Sequence, residues 1–300
     1  MKVTLPMLAL AGFATTAAAQ QVEVLTFAGP VDVATSPQRV VALDLAAIDS
    51  LDALGVTVDG VPDFTPPAYL ADAMDGITTV GTLFEPDFEA LAVMAPDLII
   101  AGGRSQTQVD ALSRVAPTLD MTVSETLIDD AIARVTAYGQ IFDKPEAAAT
   151  LTADLDAAVT QAQSVAAGKG RALILLTNGG KISAYGEGSR FGWIHSALHI
   201  PQAYPDLTAG SHGEAVSFEF VAEVDPDWIF VVDRGAAIGQ EGEAAAVTLD
   251  NPLVAETKAA QQGQIVYLDS APLYLAGGGI QSLMGSIADI TAALQGDTDS

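Results

Sequence analysis

Apolar positions along the chain follow two spacings, which predict strands and helices in alternation. VEVLTF and VDVAT have apolar residues at alternate positions on either side of Ala28-Gly29-Pro30, and they predict a β-hairpin. Buried strand patterns such as RVVALD and DLIIAGG then alternate with helical patterns such as LAAIDSLDALG and FEALAVMAP. Because strands that alternate with helices assemble into parallel sheets, we expect an α/β fold.

The segment from Asp143 to Gly170 predicts one long helix near the middle of the chain. Asp143 is the expected N-cap, Pro145 lies in the first turn, and Gly168 and Gly170 mark the end. Its apolar residues recur at spacings of three and four, at Ala148, Leu151, Leu155, Val159, Ala162 and Ala166. The strand and helix pattern restarts beyond it. We therefore expect two α/β lobes, residues 20–142 and 171–300, joined by an interlobe helix over residues 143–170, with a largely preformed cleft.

Residues 1–19 have the features of a secretory signal peptide. Lys2 precedes an apolar run from Val3 to Phe13, and small residues lead to an expected cleavage site before Gln20. The chain contains no cysteine, so disulfides, thiolate metal sites and a lipid-modified cysteine are not expected. These features predict a protein that is released into the periplasm and not lipid-anchored.

The formal net charge of −26 makes nucleic acid a poor partner and makes each cation conspicuous. Four of the seven arginines fall on helices or at element ends, and we expect them to be solvated surface cations: Arg39, Arg114, Arg134 and Arg171.

The other three arginines are candidates for a ligand site. FEALAVMAPDLIIAGGR and FEFVAEVDPDWIFVVDR align without a gap, and each ends a strand with an arginine, Arg104 or Arg234. Ligands bind at the carboxyl ends of strands in open α/β sheets. Arg190 lies in the loop AYGEGSRFG. Three guanidinium groups in one cleft would bind a polyanion with planar oxygens; the alternative is a set of surface salt bridges.

The histidines and one tyrosine divide into packing and ligand candidates. His195 lies between apolar residues of the predicted helix FGWIHSALHI, so we expect it to be packed, and His199 suits the end of that helix. His212 in GSHGEAVSFE and Tyr274 in SAPLYLAGGG lie in predicted loops, and each is either a ligand or a packing residue. The chain has no cysteine nucleophile, HExxH, GxSxG or GxxxxGK[ST] motif, so no enzyme class is indicated.

Several ordered motifs carry a family resemblance: SRFGWIH, SHGEAVSFEFVAEVDPDWIFVVDR, DNPLVAETKAAQQGQIVYLD and LYLAGGG. Through them the chain resembles the periplasmic ferric-siderophore-binding proteins of bacterial ABC importers, in the branch that takes catecholate siderophores of enterobactin and petrobactin type. The resemblance implies a class III periplasmic binding protein fold, with two Rossmann-like lobes joined by one long helix. It also implies a monomer without turnover or intrinsic cofactor, which takes Fe(III) only as a siderophore complex and delivers it to an inner-membrane permease.

The same resemblance implies roles for individual residues. Arg104, Arg190 and Arg234 would hold the catecholate oxygens, and His212 and Tyr274 would bind iron when the siderophore leaves two coordination positions open. Glu89 and Glu219 would dock onto the permease; the alternative is that each only suits a helix N-terminus. The chain departs from the family at Leu273, where an aromatic residue is usual, and at His199, where glycine is usual.

Two other functions remain open from the sequence. A haem or corrinoid carrier could use the same scaffold, with Tyr274 or His212 as an axial ligand. A metal-dependent hydrolase would need His212 and nearby carboxylates, although the chain has only three histidines and none lies in a paired motif.

Overall fold

Two five-stranded sheets organise the chain, one in each lobe. The structure is a computed structural model that describes residues 20–207, 210, 212–240 and 242–296. The expected signal peptide, residues 1–19, lies outside the described residues.

The first lobe begins with the predicted hairpin and continues with alternating strands and helices. Strands β1 (Gln21–Thr26) and β2 (Gly29–Ala34) pair antiparallel, which confirms the hairpin. The sheet strands are β3 (Val40–Ala42), β4 (Gly60–Val61), β5 (Thr78–Thr79), β6 (Leu98–Ala101) and β7 (Thr118–Asp120). The helices are α1 (Leu45–Ala53), α2 (Ala71–Met74), α3 (Phe88–Met94), α4 (Val109–Leu112) and α5 (Leu127–Ile141), with 3₁₀ helices at Ala68–Leu70 and Gly103–Gln108. The sheet order is β5-β4-β3-β6-β7 and every pair is parallel, as predicted.

The long helix predicted between the lobes is α6 (Pro145–Ala166), and it differs from the prediction at its start. Lys144 precedes the helix, and Asp143 adopts a left-handed conformation with φ 54°, so Asp143 as N-cap was wrong. An N-cap normally has extended backbone, which Asp143 does not have here. The predicted apolar stripe is confirmed, because Ala148, Leu155 and Ala162 are buried.

The second lobe repeats the strand and helix pattern after α6. Its strands are β8 (Ala172–Asn178), β9 (Lys181–Tyr185), β10 (Glu214–Val216), β11 (Trp228–Asp233) and β12 (Ile265–Tyr267). Its helices are α7 (Trp193–Ser196), α8 (Phe218–Val224), α9 (Arg234–Ala237), α10 (Ala245–Thr248), α11 (Pro252–Ala255), α12 (Lys258–Gln261), α13 (Ser270–Leu275) and α14 (Ile280–Gln295).

The second sheet is mixed, unlike the parallel sheet of the first lobe. Its order is β10-β9-β8-β11-β12, with β9 antiparallel to β8 and β10 antiparallel to β9. Asn178 pairs with Lys181 across a turn of two residues, and a turn this short joins only antiparallel strands. The segment around His212 was predicted as a loop, but its residues Glu214–Val216 pair with β9 and form the edge strand β10.

The two aligned sequence segments have the same local structure. Helices α3 and α8 each have seven residues, and each ends at a left-handed residue, Ala95 or Asp225, before strand β6 or β11. The matched aspartates also act alike. Asp97 Oδ2 accepts from the backbone N of Arg39 at 2.9 Å, and Asp227 Oδ2 accepts from the backbone N of Arg171 at 2.8 Å. The internal repeat is therefore structural as well as sequential.

Apolar packing covers both faces of the central strands. Along β6, Leu98 and Ile100 belong to the large core that includes the buried stripe of α6, whereas Ile99 and Ala101 belong to a separate core on the opposite face. Alternate residues of strands β8 and β11 likewise belong to the large core and to a separate core on the opposite face of the second sheet. Burial on both faces explains the continuous apolar runs of these strands in the sequence.

The last helix returns to the first lobe. Helix α14 packs against α6 and α1, although its residues follow the second sheet in sequence. Buried Asp49 on α1 accepts from the backbone N of Gln281 at 2.8 Å and of Ser282 at 2.9 Å, and from the Tyr69 hydroxyl at 2.6 Å. The carboxyl group of Asp49 thus caps the N-terminus of α14, where the first N–H groups have no partner within the helix.

Arg134 does not lie where the sequence predicted. Arg39, Arg114 and Arg171 are exposed as expected, but Arg134 is only 6 % exposed. It lies on the buried face of α5 with Tyr138, where its positive charge acts on the buried carboxyl group of Asp44. The assignment of Arg134 as a surface cation was therefore wrong, because a charge of opposite sign accompanies it in the interior.

Candidate ligand-binding cleft

Three predicted site arginines lie in segments next to strand ends. Arg104 lies in the 3₁₀ helix that follows β6, and Arg234 is the first residue of α9, directly after β11. Arg190 follows β9 in the turn that leads to α7. Since Arg104 belongs to the first lobe and the other two belong to the second, both lobes supply cations to the same cleft.

Tyr274 brings these arginines together. The sequence placed it in a loop, but it lies near the end of the short helix α13. Arg104 Nη2 donates to its carbonyl oxygen at 3.1 Å, and Arg190 Nη2 donates to the same oxygen. Arg234 Nε donates to its hydroxyl at 3.2 Å. The Arg190 guanidinium also lies over its ring, 4.2 Å from Cζ to the ring centroid. One residue therefore contacts all three arginines.

The arginines change the ionisation of the Tyr274 phenol. Burial alone raises its pKa, but the hydrogen bond from Arg234 and the positive charges of Arg190, Arg234 and Arg104 lower it, and the net pKa is below the ordinary 10.0. Burial and the neighbouring charge of Arg104 lower the pKa of Arg190, while Tyr274 opposes the change. The cleft therefore favours negative charge at the phenol and on any ligand beside it.

Two adjoining cavities meet at Tyr274. The first cavity has a volume of about 480 Å³ and lies beside β9 and β10. The second has a volume of about 590 Å³ and is lined by residues of both lobes. Arg190, His212 and Tyr274 line both cavities, whereas Arg234 lines only the first and Arg104 only the second. All five predicted ligand and metal residues therefore line one or both of these adjoining cavities.

The remaining predicted residues lie at different distances from that cleft. His212 is exposed and borders both cavities. Glu89 and Glu219 are exposed in the first turns of α3 and α8, and only Glu219 also lines the first cavity. His195 is buried as predicted, with Nδ1 2.9 Å from the Ile200 carbonyl oxygen, and burial lowers its pKa.

Metal binding by the protein alone finds no support in the described residues. Nowhere in residues 20–207, 210, 212–240 and 242–296 do three or more His, Cys, Asp or Glu side chains form a group that could hold a metal ion. A metal-dependent hydrolase built on His212 and nearby carboxylates would need such a group.

Sequence reasoning missed three residues at the cleft. Asn178 accepts from Arg234 Nη1 at 3.4 Å, and Lys181 lines the first cavity. Phe84 lines the second cavity although it is 60 % exposed. Asn178 and Lys181 flank the turn between β8 and β9, so the TNGGK sequence was the available signal. An aromatic residue in the turn TLFEPD was the signal for Phe84.

Two α/β lobes, one connecting helix and a cleft between the lobes are typical of substrate-binding proteins. The model of the periplasmic binding protein family matches residues 40–272, and the chain belongs to that family. Its members are binding proteins and not enzymes. No helix in the described part of the chain has the length and apolar composition needed to span a bilayer.

Similar proteins are known from several bacteria. The petrobactin-binding protein YclQ of Bacillus subtilis is 35 % identical over 269 residues, which cover 87 % of this chain and 83 % of YclQ. The ferric-anguibactin-binding protein FatB of Vibrio anguillarum is 31 % identical over 276 residues, or 89 % of this chain and 85 % of FatB. The crystal structure of the catecholate-siderophore-binding protein VctP of Vibrio cholerae matches with a TM-score of 0.86 and 29 % identity, covering 91 % of this chain and 100 % of VctP. These matches support the family resemblance and the two-lobed fold expected from the sequence.

Proposed function

We propose that this protein captures a ferric catecholate siderophore in the cleft between its lobes and delivers it to an inner-membrane ABC permease. The observation that carries the proposal is the convergence of Arg104, Arg190 and Arg234 on Tyr274. A ferric catecholate complex is a compact anion with planar pairs of oxygens, and guanidinium groups match such acceptors. The names of YclQ and VctP support the same class of ligand.

The arginines are held in place before a ligand contacts them. Arg104 donates to the carbonyl oxygens of Leu275 and Tyr274, both at 3.1 Å, at the C-terminal end of α13. Carbonyl groups at a helix end carry partial negative charge. They therefore hold Arg104 and Arg190 side by side against the repulsion between the two guanidinium groups. An anion in the cleft would relieve that repulsion further. Preorganised cations lose little conformational freedom on binding, which favours affinity.

Tyr274 and His212 are proposed as direct ligands of the Fe(III) cargo. A bis-catecholate supplies four of the six donors of an octahedral ferric ion, and a phenolate oxygen and an imidazole nitrogen suit the remaining positions. The lowered pKa of Tyr274 supports this role, because the phenol must lose its proton to bind iron. The iron belongs to the ligand, and no resident cofactor is part of the proposal.

Delivery and location complete the proposal. We assign Glu89 and Glu219 to permease docking, since matched exposed carboxylates on α3 and α8 give each lobe one contact for a basic partner surface. We also propose that the chain is exported by its signal peptide, cleaved before Gln20, and acts as an unanchored periplasmic monomer.

Tryptophan fluorescence provides the test of ligand class. Both tryptophans are buried in the large core, but Trp193 also lines the second cavity, whereas Trp228 on β11 lines neither cavity, so ligand binding should quench mainly Trp193. Titration should give saturable quenching with ferric bis-catecholate and much weaker quenching with ferric hydroxamate or haem. Preference for haem, with a Soret band in the complex, would replace the proposal with a haem carrier. A Trp193→Phe variant should lose most of the signal.

A further inference from the structure

The two cavities at Tyr274 differ in charge. Three cations and one acid line the first cavity: Lys181, Arg190, Arg234 and Glu219. Two cations and two acids line the second: Arg104, Arg190, Asp44 and Glu125. The formal sums are therefore +2 and 0, with His212 taken as neutral. Anionic ligand groups favour the first cavity, and the second offers no net charge to attract them.

A rigid turn of the first lobe presents Phe84 to the second cavity. Thr82 Oγ1 accepts from the backbone N of Phe84 at 3.3 Å and of Glu85 at 3.0 Å, and the backbone N of Thr82 donates to the Glu85 carbonyl at 2.9 Å. Gly81 has φ 95°, and a side chain there would overlap the backbone N of Asp87. The turn therefore has little freedom to withdraw Phe84 into the protein.

The turn that carries Phe84 is also tied to the segment that carries Arg104. Gln108, at the end of the 3₁₀ helix that contains Arg104, donates from Nε2 to the Phe84 carbonyl oxygen at 3.4 Å. Phe84 and Arg104 both line the second cavity. An exposed aromatic ring and a guanidinium are thus held together on one wall, next to the cavity that the proposed iron chelate would occupy.

We propose that the second cavity receives the linker of the siderophore, while Arg104 contacts the chelate at the end of this cavity that borders Tyr274, and that Phe84 selects ligands whose linker bears an aromatic or apolar arm. The inference rests on the proposed function, because it requires the chelate to sit at Tyr274. An arm that leaves the chelate there would cover the exposed Phe84 ring, and burial of apolar surface favours such contact. Phe84 is therefore a specificity residue and contributes little to recognition of the chelate itself.

Two ferric complexes of equal charge and chelating groups test this inference. One is a compact bis-catecholamide with an unsubstituted linker, and the other is the same compound with a benzyl group on the linker. We expect the parent protein to bind the benzyl complex roughly three- to tenfold more tightly, the gain typical of one aromatic contact. Phe84→Ala should remove that advantage and leave the affinity for the compact complex unchanged. Phe84→Leu should keep part of the advantage.

Phe88→Ala is the matched control. Phe88 is 37 % exposed, begins α3 a few residues after the same turn, and lines neither cavity, so this variant should keep the full preference of the parent. Equal affinities of the parent for the two complexes would overturn the inference, as would an equal loss of both complexes in Phe84→Ala. Failure of the parent to bind even the compact complex would instead reject the proposed function.

Discussion

Tyr274 is the residue on which the electrostatics of the cleft depend. Its carbonyl oxygen accepts from Arg104 and Arg190, and its hydroxyl accepts from Arg234. The cations held by the Tyr274 carbonyl oxygen and hydroxyl also act on its phenol, and they lower its pKa against the effect of burial. A change at any one of the three arginines should alter both ligand affinity and the ionisation of Tyr274.

Arg234→Ala is expected to weaken binding of ferric bis-catecholate by about tenfold or more, because a hydrogen bond to a charged group contributes roughly 1.5–3 kcal/mol. The variant also removes the donor to the Tyr274 hydroxyl, so the pKa of Tyr274 should rise. Fluorescence titration measures the first effect. Ultraviolet absorbance of phenolate against pH measures the second, with Tyr274→Phe as the baseline.

Arg114→Ala is the matched control for this prediction. Arg114 is exposed and lines neither cavity, so its removal changes net charge by the same amount without touching the cleft. It should bind ferric bis-catecholate like the parent. If Arg114→Ala and Arg234→Ala bound ferric bis-catecholate equally weakly, the loss of affinity would come from long-range charge and not from a local contact of Arg234.

At the scale of elements, the join between α1 and α14 holds an ionisable group in the interior. Burial raises the pKa of Asp49 to about 7, although hydrogen bonds from Tyr69, Gln281 and Ser282 oppose the shift. Between the ordinary value of 3.8 and about 7, the folded protein keeps a proton that the unfolded chain releases. The contribution of Asp49 to the free energy of unfolding is therefore fully present at low pH and falls as the pH rises through that range.

We expect Asp49→Asn to change the pH dependence of unfolding, because the asparagine side chain cannot ionise. The free energy of unfolding of the parent, relative to the variant, should fall from pH 5 towards pH 7 and then level off. Urea unfolding at fixed pH values measures it. Asp72→Asn removes an exposed acid on the neighbouring helix α2 and should follow the parent. A parent and an Asp49→Asn variant with parallel curves would show that Asp49 does not titrate in this range.

Local patterns predicted most elements, and tertiary contacts decided the exceptions. The matched helices α3 and α8 followed from apolar spacing and from the aligned sequence segments. Strand β10 did not, because two of its three residues are exposed and it lacks a buried face that alternation could signal. Pairing with β9 creates that strand, and pairing is not a property of the segment itself.

The sequence predicted the residues of the candidate site but not their arrangement. Strand ends and the repeat pointed to Arg104 and Arg234, and the family resemblance pointed to His212 and Tyr274. The contact of Arg104 with Tyr274 joins residues far apart in sequence, and no spacing within the chain encodes it. Buried Arg134 was missed for the same reason, since the charge that accompanies it, Asp44, lies on another element.

The whole molecule combines a strongly acidic surface with a basic cleft. The formal net charge is −26, yet Lys181, Arg190 and Arg234 line a cavity of about 480 Å³. Local cations dominate at contact distance because solvent and salt screen the distant acids beyond about 8–10 Å. The acidic exterior therefore does not prevent an anion from binding, and it suits a basic docking partner.

Exchange of both Glu89 and Glu219 for alanine should abolish siderophore-dependent growth while ferric bis-catecholate binding persists. The reason is that each lobe loses its proposed contact with the permease, whereas the arginines remain. Growth of an iron-starved bacterial host that expresses the matching permease measures delivery. Fluorescence titration measures binding. The binding control is essential because Glu219 also lines the first cavity.

Glu146→Ala is the control for a simple helix effect. Glu146 is also an exposed acid in the first turn of a helix, α6, but it has no counterpart in the matched segments. It should leave growth unchanged. Normal growth of the Glu89 and Glu219 double variant would leave both glutamates with only a favourable position near a helix N-terminus.

The most direct test of the account compares two ferric complexes bound to the parent and to a variant with His212→Ala and Tyr274→Phe. A bis-catecholate leaves two iron positions for the protein, whereas a tris-catecholate fills all six. The variant should therefore bind the bis-catecholate far more weakly, with a shifted visible charge-transfer band, and should bind the tris-catecholate almost like the parent. A variant that kept both the affinity and the spectrum of the bis-catecholate complex would contradict direct ligation of iron by these residues.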